Sequence, residues 1–368
     1  MLRLQKLFGE ALVKQEKLRI LVLGDSRSFH IERYLAELRR QNCEVLLASI
    51  EAGKLDYYQL RWRGPVRMFH YVLAVKELRD LFTKFKPDVV DAHYASGYGY
   101  MAATALKNST IPLVVQLWGS DILVVSNKSY FHKRKVVVAF GEADAVIADS
   151  QFLINEAKKI APLNKTLVES FGIEKHFLEF HKQDYTISKP LKIIVPRPHE
   201  RVYNNPFIIN ALAPLLKRGE VTLTFPDFGS LAVKLKREIK IGGYRGIGLY
   251  EKKNRVSFLK LMSEQDVYLS AALSDSSPVS LIEAMALGLI PVVAGIPGIK
   301  EWAGDSGAIM FDINDPNSLA DKINEIITDK NKRTQMRQSN LEKVKAKGLF
   351  ENNVAARIRL MNQLIANL

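Results

Sequence analysis

The stretch Ser274-Asp275-Ser276-Ser277-Pro278-Val279-Ser280-Leu281-Ile282-Glu283 is the most informative in the chain for chemistry. Ser277 is a good N-cap and Pro278 a good first helical residue, so a helix is predicted from there to Gly288, which stops it. The start of a helix presents unpaired N–H groups and the positive end of a dipole, which suits a phosphate. Asp275 lies in the loop just before that start, and Glu283 lies within the first two turns. Carboxylates on either side of a phosphate-binding helix end suit a nucleotide-sugar, one for sugar hydroxyls and one for ribose hydroxyls. A purely structural role fits the same residues: Ser280 and Glu283 have capping-box spacing, and Asp275 can cap a loop.

These residues need a scaffold that brings them to one edge. Short apolar runs at 18–23, 44–49, 88–92, 112–117 and 144–148 read as strands, with segments of helical spacing at 30–40, 68–85 and 100–106 among them. The polar stretch 181–190 reads as a linker, after which the pattern restarts. Strands are predicted at 191–195, 221–225, 267–270, 291–294 and 308–311, and helices at 206–216, 231–240, 256–262, 279–287, 316–328, 329–347 and 352–367. The alternation predicts an α/β fold of two doubly wound parallel-sheet domains in series, with a cleft between them. Ligands in such sheets sit at the carboxyl ends of strands, which places Asp275 on the cleft.

Composition sets the outer bounds. The chain has 368 residues, 47% apolar and 25% charged, the usage of a soluble globular protein with room for two domains. Its one cysteine, Cys43, excludes an intramolecular disulfide and a cysteine-rich zinc site, and fits a reducing compartment. The most apolar stretch, 287–299, is shorter than a membrane span and is broken by glycine and proline. No secretory signal is read at the start, so a cytoplasmic location is expected. The histidines show no metal-ligand pairing, and no metal is expected. The net charge of +14 favours anionic partners, but the basic residues are dispersed and match no nucleic-acid-binding module, so no nucleic-acid partner is expected. Cations stand beside aromatics at 61–70 and 128–135, and 1–16 gathers Leu4, Leu7, Phe8, Ala11 and Leu12 near one helical face. Such clusters suit peripheral contact with an anionic membrane, and they also suit solvated loops.

Residues 270–302 resemble the signature of retaining GT-B glycosyltransferases of family 4. Asp275 and Glu283 are separated by seven other residues, followed by Ala284-Met285-Ala286, Gly288, Pro291-Val292-Val293 and Gly298-Ile299-Lys300-Glu301. Weaker matches follow in the family's order: Gly24 to His30, Lys86 to His93, Trp118-Gly119-Ser120-Asp121, Ala143 to Ser150, Phe171-Gly172-Ile173, and Pro196-Arg197 with Glu200 and Tyr203-Asn204. The resemblance implies two Rossmann-like domains facing a central cleft, an acceptor-binding one at 1–185 and a nucleotide-sugar-binding one at 186–345. A C-terminal helix at 346–368 would pack back on the first. The implied activity is transfer of a sugar from a nucleoside-diphosphate sugar to a glycan or lipid-linked saccharide, in cell-envelope polysaccharide or glycolipid synthesis at the inner membrane face. No cofactor is implied, and the lack of an Asp-x-Asp element agrees with metal independence.

On that resemblance Glu283 holds the ribose hydroxyls and Asp275 contacts the donor sugar. The amides of Val279 and Ser280, with Ser277, face the diphosphate. Arg197 neutralises the departing diphosphate, with Tyr203 and Asn204 beside it. Gly24, Asp25, His30, His93 and Asp121 lie on the acceptor side, and Asp275, Arg197 and His93 are the catalytic candidates. Retention implies that the leaving oxygen takes the acceptor proton on the face it departs from. Three positions depart from the family pattern: Asp275 replaces the usual Glu, Tyr203-Asn204 a common Lys-Gly, and Trp118 a frequent His. Two other readings are a catalytically silent GT-B nucleotide-sugar-binding subunit and another GT-B enzyme, such as a nucleotide-sugar epimerase.

Overall fold

The computed structural model describes residues 17–60 and 67–368, without the side chains of 67–72. The segment 1–16 and the basic-aromatic cluster at 61–70 lie outside these described residues and side chains. The first domain is built on β1 (Arg19–Leu23), β2 (Glu44–Ser49), β3 (Tyr58–Gln59), β4 (Val89–His93), β5 (Leu113–Gln116), β6 (Ala145–Ala148) and β7 (Lys165–Val168). They form one parallel sheet in the order β3-β2-β1-β4-β5-β6-β7, with Val22 in register with Leu47 on one side and Asp91 on the other. The second is built on β8 (Leu191–Ile194), β9 (Val221–Pro226), β10 (Ile247–Tyr250), β11 (Val267–Ser270), β12 (Ile290–Ala294) and β13 (Ile309–Phe311), in the order β10-β9-β8-β11-β12-β13, also parallel.

The central strands are buried throughout, as parallel strands covered on both faces must be, and this makes them apolar runs. Three strands escaped the sequence reading: β3 and β7 at the two edges of the first sheet, and β10 at the edge of the second beyond β9. The residues of β7 are mostly exposed, and β3 and β10 are short and half open to solvent, so none presents an apolar run. Three helices also went unpredicted, Tyr130–Glu142, Gln151–Lys158 and Pro297–Ala303; each of the first two is opened by a serine side chain that accepts from the third residue beyond it.

The chain crosses between domains twice, at one point. Ile173 N donates to Gly348 O (2.9 Å) and Phe350 N donates to Ile173 O (2.9 Å). Gly172 sits at φ +60° with the Gly348 carbonyl where a Cβ would stand, so only glycine fits the crossing. The helix Phe350–Ile365 then packs on the helix Phe29–Arg40 of the first domain, burying Phe350, Val354 and Met361 against Ile31, Tyr34 and Leu35. Each such side chain contributes about 1.5–3 kcal/mol of apolar burial.

Candidate active site

Strand order reverses between β1 and β4 in the first sheet and between β8 and β11 in the second, and crevices open at such points. Arg197 follows β8 and Asp275 follows β11; Gly24 and Asp25 follow β1, and His93 ends β4. A cavity of about 770 Å3 lies between the domains. Arg197, Tyr203, Asp275, Ser277, Val279, Ser280 and Glu283 all line it from the second domain, and His30 lines it from the first.

The helix that carries Glu283 spans Val279–Leu287 as predicted, but its cap falls one residue later than expected, at Pro278 rather than Ser277. Pro278 is its N-cap, in extended conformation, because the preceding Ser277 N–H is drawn across the cleft to Asp149 Oδ2 (3.1 Å). The capping box does not form. Ser280 Oγ pairs with Tyr268 Oη (3.0 Å), and Glu283 is engaged by the Arg255 guanidinium. Arg255 also donates to Glu174 (2.7 Å), which in turn accepts from Arg33 of the first domain (2.6 Å). Burial alone would raise the Glu174 carboxyl, but Arg33 and Arg255 hold it below its usual range. Arg197 lies over the Tyr203 ring (4.6 Å) and forms an ion pair with Asp275. Buried Asn205 donates to the Arg197 carbonyl (3.1 Å) and fixes that loop. Asn204 does not line the cavity; at φ +51° it turns the chain into the helix Asn205–Lys217.

On the acceptor side a second cavity of about 390 Å3 is lined by Asp25, His93, Tyr94, Tyr98 and Trp118, and Trp118 lines both cavities. His93 is buried, neither ring nitrogen has a hydrogen-bond partner, and Nε2 is 3.6 Å from Asp91. Asp91 accepts from Tyr34 Oη (2.7 Å) and Gln116 Nε2 (2.8 Å). Burial would lift Asp91, yet His93, Tyr34 and Gln116 keep it below the usual carboxylate range. Tyr94, at φ +83°, is a bulky residue in a left-handed conformation, the kind of strain that gathers at binding sites. Asp25 is held low by its hydrogen bonds to Arg27 at the rim. Gly24 lines neither cavity; a Cβ there would press on Ile31 and stand 3.8 Å from His93 Cβ. Asp121 reaches neither cavity. It is fully buried and accepts from Ala95 N (2.9 Å) and Trp118 N (3.0 Å), tying together the loops after β4 and β5, and burial pushes its pKa up to about 6.

His30 packs on Trp118 and Phe171, and its buried Nδ1 has no partner. Burial, with Arg33 and Arg255 near, lowers its pKa to about 4. The unfolded chain takes this proton near 6.5 and the folded chain only near 4. This contribution to stability is complete above about pH 6.5 and is lost as pH falls towards 4. His30→Phe is expected to flatten the melting temperature between those limits; an unchanged slope would exclude this site as its source.

Sequence reasoning missed Arg255, Glu174 and Arg33, which no motif marks, and gave no role to Asp149 within the matched segment Ala143 to Ser150. Glu301 stood in the Gly-x-x-Glu element but without a visible partner. Among the described residues no three His, Cys, Asp or Glu side chains come together as metal ligands.

Two parallel-sheet domains of this order facing one cleft define the GT-B fold. The first domain matches the family described as Glycosyl transferase 4-like over residues 19–150, and the second matches Glycosyl transferases group 1 over residues 179–343. Each domain thus matches a glycosyltransferase family model of its own. It is 34% identical over 111 residues to TuaC of Bacillus subtilis, a protein named for a glycosyltransferase of teichuronic acid biosynthesis; that match spans 30% of this chain and 28% of TuaC. It is 22% identical over 318 residues to the uncharacterized glycosyltransferase MJ1178 of Methanocaldococcus jannaschii, spanning 85% of this chain and 84% of that one. Anabaena Alr3699/HepE, solved in complex with UDP and glucose, superposes with a TM-score of 0.76 at 16% identity, over 94% of this chain and 100% of that one.

Proposed function

We propose that the chain is a retaining, metal-independent glycosyltransferase that moves a sugar from a nucleoside-diphosphate sugar to a glycan or lipid-linked saccharide in cell-envelope polysaccharide or glycolipid synthesis. The observation that carries this reading is the convergence of Glu283, Asp275, Arg197 and the Val279–Leu287 helix start on one interdomain cavity. Glu283 accepts from ribose hydroxyls, the helix amides and Arg197 take the diphosphate, and Asp275 takes the donor sugar. His93 and Asp25 receive the acceptor in the adjoining cavity. The names of TuaC and of the HepE complex support this assignment. Arg197 and Arg255 already pair with the two cleft carboxylates, the observation that favours the second reading, a catalytically silent subunit.

The test is a thermal-shift screen against UDP, GDP and ADP and their glucose conjugates, repeated with Glu283→Ala. A nucleotide at 100 times its Kd stabilises by about 2.7 kcal/mol. Losing a charged hydrogen bond costs about 1.5–3 kcal/mol, so the variant is expected to weaken Kd roughly 10- to 100-fold. No shift with any nucleotide overturns the donor site. A shift without donor cleavage favours the silent subunit.

We also propose peripheral contact with an anionic membrane at the cytoplasmic face. The helix Tyr130–Glu142 opens with Tyr130 and Phe131, 70% and 74% exposed, beside exposed Lys128, Lys133 and Arg134. Among the described residues no helix is long and apolar enough to cross a membrane. Binding to phosphatidylglycerol-containing vesicles is expected to fall roughly 30-fold in K133S/R134S, from about 1 kcal/mol per cation. Equal binding to vesicles lacking the anionic lipid would remove the idea.

A further inference from the structure

The two domains exchange carboxylates along one rim of the cleft. Asp149, just past β6, accepts from Ser276 Oγ and from Ser277 N (3.1 Å) of the second domain. Glu301, on the helix Pro297–Ala303 of the second domain, accepts from Gln151 N (2.5 Å) and Phe152 N (2.6 Å) of the first. Those two amides open the helix Gln151–Lys158, and a carboxylate there meets the positive end of its dipole. Ser150 Oγ and Ser276 Oγ meet between the two pairs at 2.5 Å, and both serines are buried. Each carboxylate thus satisfies backbone or hydroxyl groups that belong to the other domain.

The loop so held is the one that carries Asp275. Ser276 N donates to Asp275 Oδ1 (3.0 Å), so the residue gripped by Asp149 also orients the Asp275 carboxylate. If the domains part, Ser276 and Ser277 lose Asp149, and Asp275 loses the anchor that sets its position. We propose that Asp149 and Glu301 are positioning residues, a reciprocal latch that sets the Asp275 loop for donor cleavage only when the domains are closed. This rests on the assignment of Asp275 to the donor sugar. A displacement of about 1 Å at a reacting centre can cost roughly 100-fold in rate, so a latch remote from the sugar can control turnover.

The experiment uses the full chain and the variants Asp149→Asn and Glu301→Gln, with folding checked by melting temperature. Amide hydrogen exchange is read at Ser277 and at Gln151–Phe152. A latch acts crosswise: Glu301→Gln speeds exchange at Ser277, which it does not touch, and Asp149→Asn speeds exchange at Phe152. UDP affinity is expected to stay within about twofold, while hydrolysis of UDP-glucose to UDP and glucose falls by about 10- to 100-fold. Exchange that quickens only at each carboxylate's own partners reduces the pair to two local caps and overturns the proposal. UDP-glucose cleavage within twofold of the parent overturns it as well. If the parent chain binds no UDP, the donor-site assignment fails, and the crosswise exchange still decides the latch.

Discussion

Arg197→Ala is expected to slow donor cleavage by about 100- to 1,000-fold while leaving the chain folded. Removal of one preorganised group that faces developing charge typically costs this much. Arg197 stacks on Tyr203, and Asn205 holds its backbone, so its guanidinium is aimed before the donor arrives. The guanidinium pairs with Asp275. On the proposed function a diphosphate would offer it a stronger anion and free the carboxylate for the sugar. Arg197→Lys keeps the charge but loses the planar fork and the stacking, so an intermediate loss is expected. Steady-state cleavage of UDP-glucose measures both, and a loss under tenfold in the alanine variant would remove Arg197 from the reaction.

The second large effect falls on stability. Arg357, 2% exposed, donates to Gln116 Oε1 (2.6 Å) and to the Glu169 carbonyl (2.9 Å), between the rings of Tyr34 and Phe171. Gln116 in turn donates to Asp91, so the last helix anchors the polar group beneath His93. Arg357→Ala strands these two acceptors in the interior and is expected to cost about 2–6 kcal/mol, roughly 1–3 for each. Arg357→Met restores volume without the bonds and is expected to lose less. Hydrogen exchange of β4 and β5 in urea reports the loss, and a change under about 1 kcal/mol would show that water replaces the guanidinium.

The sequence reading reached the strands that carry the site because they are buried on both faces and announce themselves as apolar runs. The Val279–Leu287 helix was legible from its proline start and glycine stop, within one residue. The edge strands were not, since half-exposed residues leave no run. The helix Tyr130–Glu142 buries only Val136, Ala139 and Phe140 among its named core positions and shows little periodicity, although Ser129 signals its start. Residues whose roles depend on docking were beyond reach in principle. Glu301 meets amides 149 and 150 positions away, and Arg357 meets Gln116 across 241. Spacing along a chain reports neighbours on one helix or strand, and says nothing of which loop will face a carboxylate from another domain.

The return of the final helix to the first domain bears on how the chain is made. A ribosome releases residues 17–168 long before Phe350, Val354 and Arg357 exist to cover the helix Phe29–Arg40 and to satisfy Gln116. Through synthesis of the whole second domain, on the order of ten seconds or more at about 5–20 residues per second, the emerging first domain carries an uncovered apolar face and an unpaired polar group. The last helix is thus a cover that the first domain receives late. A stop codon a few residues before Phe350 would leave both sheets encoded in full and the first of them without its cover.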